Sequence, residues 1–77
     1  METPKELDLV VLKRGLEDLG LMAGDVGAVV HVYNGGSALE VEFVTGEGRT
    51  IGVATLGVDE VRPLAAREVL HARDLAA

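Results

Sequence analysis

Three side chains in the middle of this chain, His31, Glu40 and Glu42, have the types and spacing that could do chemistry. On an extended chain Glu40 and Glu42 fall on one side, about 7 Å apart, a separation that could hold two carboxylates for acid–base work. Both would sit on the flank of a convex sheet with no nucleophile beside them, so no catalytic residue is expected. A zinc ion needs more ligands than His31, Glu40 and Glu42 supply, and His71 is far off in the tail. The plainer expectation is a cross-strand ion pair or hydrogen bond between His31 and Glu40. Gly24 and Gly27 are spaced loosely like a phosphate loop, yet no third glycine leads a helix and no Gly-Lys-Ser/Thr follows. They read as a turn followed by close strand packing. Neither a cofactor nor a metal is expected.

The elements that must position these residues are two successive strands. Gly24-Asp25-Val26-Gly27-Ala28-Val29-Val30-His31-Val32-Tyr33 is a turn feeding a long strand, answered by Leu39-Glu40-Val41-Glu42-Phe43. Alternation places Val26, Ala28, Val30 and Val32 on the inner face of the first, and Leu39, Val41 and Phe43 on the inner face of the second. Between them Asn34-Gly35-Gly36-Ser37 tolerates the positive φ angles of a tight hairpin. With Gly35-Gly36 as the loop, Val32 faces Leu39, Val30 faces Val41 and His31 faces Glu40. With Asn34-Gly35 as the loop every pairing slips by two residues, and the faces are kept.

Along the rest of the chain, residues 1–7 read as a lead-in and Leu9-Val10-Val11-Leu12 as a short strand. Leu16 to Asp25 reads as a folded-back loop, since Gly20 and Gly24 interrupt it, with one helical turn at Leu16–Leu19 as the alternative. Thr45-Gly46-Glu47-Gly48-Arg49 is a second turn, leading into a strand at Thr50–Thr55 in which Gly52 marks a bend or close approach. Leu56–Asp59 is a short turn before a last strand at Glu60–Leu64, where Pro63 fits only an edge. Five short strands with one long early loop and tight later turns predict an all-β fold, a small five-stranded SH3-like barrel over residues 8–64. Alanine, leucine, arginine and glutamate then predict a short C-terminal helix over residues 65–77.

Seventy-seven residues make one domain, and without cysteine no disulfide reinforces it. A net charge of −6 repels a phosphate backbone and argues against nucleic acid as a partner. No apolar run is long enough to span a bilayer, and the N-terminus lacks the layout of a secretory signal, so a cytoplasmic location is expected. The outer face formed by Val29, His31, Tyr33, Glu40 and Glu42 is the candidate partner-binding surface. Val29 and Tyr33 are apolar or amphipathic where a solvated strand is normally polar, and tyrosine gives a large contact at low entropic cost. The competing reading is that the tail or the folded-back loop simply covers Val29. A basic protein is the partner that this charge suits, and a homo-oligomer through a strand edge or the tail is the other outcome.

Asp8-Leu9-Val10-Val11-Leu12, Gly20-Leu21, Gly24-Asp25-Val26-Gly27-Ala28-Val29-Val30, Glu40-Val41-Glu42-Phe43, Thr55-Leu56 and Val61-Arg62-Pro63-Leu64 resemble a small bacterial family, domain of unknown function 4926. The resemblance spans Leu7 to Leu64 and leaves out the alanine-rich tail. It implies an SH3-like barrel with no assigned enzymatic activity, and loosely an antitoxin-like or accessory role beside a neighbouring protein. Gly24 to Val30 is also similar to the KOW modules of transcription and ribosomal proteins, which would imply a nucleic-acid-binding alternative. The acidic charge departs from the basic face of such modules. The expectation is therefore a non-catalytic protein-binding module.

Overall fold

In the computed structural model, which describes residues 3–75, five strands form one antiparallel ladder in the order β4-β3-β2-β1-β5. They are β1 (Leu9–Leu12), β2 (Val26–Tyr33), β3 (Ala38–Val44), β4 (Thr50–Gly57) and β5 (Val61–Pro63). Single 3₁₀ turns lie at Glu17–Leu19, Asn34–Gly36 and Val58–Glu60. The chain is all-β, with β4 and β5 at the two ends of the ladder. Pro63 thus lies on an edge strand, where a missing N–H costs no ladder bond. Leu16 to Asp25 folds back on itself through a Leu16–Leu21 bridge, with Gly20 left-handed at φ 71°.

One cluster fills the concave side of the sheet. Val10 and Leu12 of β1, Val29 of β2, Leu39, Val41 and Phe43 of β3, Leu56 of β4 and Val61 of β5 are buried there with Leu21. Leu16, Leu19, Val32, Ile51 and Ala54 pack around it. The inner face of β3 is the one that its alternation predicts. Gly27 is where the core comes closest to a backbone: a Cβ there would lie 2.6 Å from Val41 Cγ1 and 2.7 Å from Phe43 Cε1. Gly52 plays the same part on β4, where a Cβ would meet Leu19 Cδ2 at 2.7 Å.

The β2 face differs from the expected one. Next to the hairpin Val32 faces Leu39 and His31 faces Glu40, as a Gly35-Gly36 loop requires, but beyond a bulge Val29 faces Val41 and Ala28 faces Glu42. Val30 is the extra residue, and it inverts the side taken by everything before it. Val29 is accordingly fully buried, and Val30 is 41% exposed rather than inward. The backbone before β1 holds this step in place. Val29 N–H donates to Asp8 O at 2.9 Å, and Val29 O accepts from Leu7 N–H at 2.7 Å. Val26 and Ala28, also expected inward, are half-buried on the other side.

The predicted C-terminal helix is absent from the described part of the tail, which runs irregularly from Leu64 to Leu75 with one turn; Ala76 and Ala77 lie outside the described residues. A helix this short needs a buried apolar face to persist, and Val69 and Leu70 are instead 90% and 62% exposed. The tail's charged side chains bond to the sheet and the turn. Glu68 accepts both guanidinium nitrogens of Arg62, at 2.7 and 2.6 Å, as well as Ala65 N–H at 2.6 Å.

The bulge makes the two adjacent valines unequal. Val29→Asp places an unpaired charge among Val41, Leu39 and Phe43 and is expected to cost more than ~4 kcal/mol, abolishing cooperative urea unfolding. Val30→Asp at the exposed bulge is expected to stay within ~1 kcal/mol of the parent in the same measurement.

Candidate functional site

Beyond the bulge, β2 turns His31 and Tyr33 to the convex side. Their rings meet edge-to-face, with centroids 4.5 Å apart and planes at 69°. Such a pair is worth about 0.5–1.5 kcal/mol beyond its buried area. Alternation on β3 turns Glu40 and Glu42 to the same side, and His31 stands opposite Glu40 in the ladder. The expected His31–Glu40 bond does not form. Glu40 accepts instead from the Thr55 hydroxyl at 2.5 Å, and Glu42 from the Thr50 hydroxyl at 2.8 Å. His31 Nδ1 lies 3.9 Å from a Glu6 carboxylate oxygen. Four of the five expected face residues are therefore gathered on one surface, while Val29 belongs to the core beneath it and is not available to a partner.

The lead-in contributes more than its composition suggests. Leu7 adopts a left-handed φ of 75° and is 84% exposed, beside the Val29–Val30 step to which its N–H is bonded. Lys5 N–H donates to the Asp8 carboxylate at 2.9 Å, closing the turn that sets this conformation. An isolated leucine before a strand carries no signal of this in the sequence.

A second site lies at the other end of β2. Arg73, forty-eight positions along the chain from Asp25, donates from Nε to Asp25 Oδ1 at 3.0 Å and from Nη2 to Oδ2 at 2.5 Å. Nη2 also reaches Gly20 O at 3.2 Å. Asp25 Oδ2 further accepts Met22 N–H at 2.9 Å, which closes the turn at left-handed Gly24. Both side chains are mostly buried, at 18% exposure for Asp25 and 24% for Arg73. The Arg73 guanidinium holds the Asp25 carboxyl below the ordinary aspartate range; burial opposes this, and Met22 N–H and His71 assist. Sequence reading missed the pair because Asp25 already had a role in the turn and no local pattern joins it to Arg73.

Elsewhere Arg14 bonds Glu60 across the β4–β5 connection, and Glu60 also accepts Gly57 N–H at 2.8 Å. Arg62 pairs with Glu68. Among the described residues no three His, Cys, Asp or Glu side chains stand close enough to hold a metal ion. No helix among them is long and apolar enough to cross a membrane.

The two carboxylates that anchor the tail set its pH response. Arg62 and Ala65 N–H hold Glu68 down to about 2, and Arg73 holds Asp25 below 3.8. Because both values are lowered by folding, the anchorage is complete above the free-chain range near ~4 and is lost as pH falls through the lowered values. A carboxyl-carbon NMR titration from about pH 6 to about pH 2 is expected to show both carboxyls staying ionised below the free-chain range. The Val69–Leu75 amide signals should move with Asp25 while those of β3 stay fixed, and Asp25→Asn should remove the tail response.

The chain matches the family described as domain of unknown function, DUF4926, over residues 6–63. No curated protein and no solved structure matches it. The matched span takes in all five strands, the Glu6–Leu7 segment and Asp25, and stops before the tail that carries Arg73. With its whole sheet inside that span, the chain belongs to the DUF4926 family of domains of unknown function.

Proposed function

We propose that this chain is a non-catalytic cytoplasmic module, an SH3-like coiled sheet, that binds a basic protein on the face carrying His31, Tyr33, Glu40 and Glu42. The observation that supports this most is the edge-to-face His31–Tyr33 pair, held on the same side of the sheet as the Glu40 and Glu42 carboxylates. Glu6 lies 3.9 Å from the imidazole, and Glu40 and Glu42 are fixed by threonine hydroxyls on β4. An aromatic pair already restrained by its neighbours loses little entropy on contact, and a fixed acidic surround favours lysine or arginine on the other side. Val53, 48% exposed and opposite Glu42, extends the apolar part of the surface. The strand order, in which the first and last strands pair beside a meander of three, supports the SH3-like reading. An accessory or antitoxin-like role beside a neighbouring protein fits a module that has a binding face and no reactive set.

Co-purification at near-native levels is expected to recover a protein companion with the parent chain. Tyr33→Ala should weaken its retention by about tenfold or more, and Glu40→Lys should abolish it. A solitary monomer, equal retention by both variants, or retention of nucleic acid in place of protein would overturn the reading.

A further inference from the structure

The Asp25 end of the sheet carries a surface distinct from the His31–Tyr33 face. Asp25 opens the turn into β2 and Tyr33 closes the strand, so the two lie roughly 25 Å apart along it. Beside Asp25 a groove runs between the start of β2 and the end of β3, lined by Leu9, Val26, Phe43 and Val44, and the tail crosses it with Leu70 and Arg73. Val44 is 53% exposed and Leu9 43%, so the tail leaves much of the apolar lining uncovered. Its own apolar side chains are loosely seated, Leu70 at 62% and Leu75 at 39% exposure. The firm contact is the Arg73 fork on Asp25, supplemented by Gly20 O. Arg73 stands outside the span matched by the family and Asp25 inside it. With Arg73 in place the Asp25 carboxylate lies mostly buried at the head of an apolar groove, which the tail covers only in part.

We infer that this groove is a docking site for an extended segment of another protein that presents an arginine to Asp25 and an apolar side chain three residues earlier to the groove. The chain's own Leu70-His71-Ala72-Arg73 is a built-in placeholder for that segment. Chemistry fixes the occupant. A planar fork matches the two carboxylate oxygens, both of which Asp25 turns toward the groove, whereas a lysine would make a single contact. A tethered placeholder competes at a high effective concentration, so an incoming segment must outbid it or find it released.

The test uses the full-length chain and its Arg73→Ala variant, isotope-labelled for NMR, with two synthetic peptides as probes. One has the sequence of residues 64–75. The other has unrelated flanks and keeps only leucine three positions before arginine. Both are expected to shift the Leu9, Val26 and Val44 amides of Arg73→Ala saturably, and the parent chain should need about tenfold more peptide or more. Replacing the peptide arginine by alanine, or adding Asp25→Asn to the variant, should erase the shifts, while Tyr33→Ala should leave them intact and so separates this site from the convex face. Parent and variant must give the same β3 amide spectrum, which shows that the fold is retained. The inference is overturned if the variant binds neither peptide at millimolar concentration, or no more tightly than the parent. Shifts that survive loss of the peptide arginine overturn it too. A parent chain that dimerises only while Arg73 is present would assign the groove to a second copy's tail and overturn the choice of a foreign segment.

Discussion

Between Val29 and His31 the β2–β3 ladder takes up one residue more on β2 than on β3, and most of the molecule's two-sidedness follows from that step. Before it, Gly27 and Val29 face the dry interior; after it, Val32 does, while His31 and Tyr33 stand on the convex side. Moving the extra residue one position either way would bring a different set of side chains into the core, because strand faces alternate strictly. The step is held from outside the hairpin by the Leu7 and Asp8 backbone groups, which bond both polar atoms of Val29. The lead-in is thus part of what defines the sheet.

Around that step the packing is economical. With two aromatic residues in the chain, the interior is aliphatic, and Phe43 fits because Gly27 offers no side chain where its ring lies. The only Gly-rich stretch that could be mistaken for a phosphate-binding loop is therefore explained by a turn at Gly24 and close packing at Gly27. The two ends of β2 differ in what they expose. One end is the aromatic pair, with Glu6 beside the imidazole and Glu40 opposite it in the ladder. The other is a single carboxylate already engaged by the tail.

How far the sequence led depends on whether the information was local. Strand positions, the hairpin between β2 and β3, the inner face of β3, the turn before β5 and the edge position of Pro63 were all legible, because each rests on alternation or turn chemistry within a few residues. The choice between the Gly35-Gly36 and Asn34-Gly35 loops was not legible, since a slip of two keeps the faces. The inner face of β2 was not. Val26, Ala28, Val30 and Val32 make an unbroken apolar alternation that points to the wrong face, and nothing in it marks an inserted residue. The outward placement of all four convex-face residues, His31, Tyr33, Glu40 and Glu42, was legible from alternation, which either hairpin register preserves. Val29 was lost with the bulge. The tail misled for a different reason: its residues favour a helix individually, but Glu68 and Arg73 find better partners in Arg62 and Asp25 than along a helix face. Long-range pairing of that kind leaves no trace in composition.

Thr3 sits over Gly36, whose left-handed φ of 108° leaves the space that a side chain would occupy. The first described residue is therefore packed against the tip of the β2–β3 hairpin, near Tyr33, while the last ordered anchor, Arg73, is at Asp25. Thr3 and Arg73 thus lie at opposite poles of the same strand. A bulky label beside Thr3 crowds the aromatic pole and leaves the carboxylate groove open, and one beside Arg73 does the reverse. Which pole stays open to solvent in a tethered sample depends on which of these two positions carries the attachment.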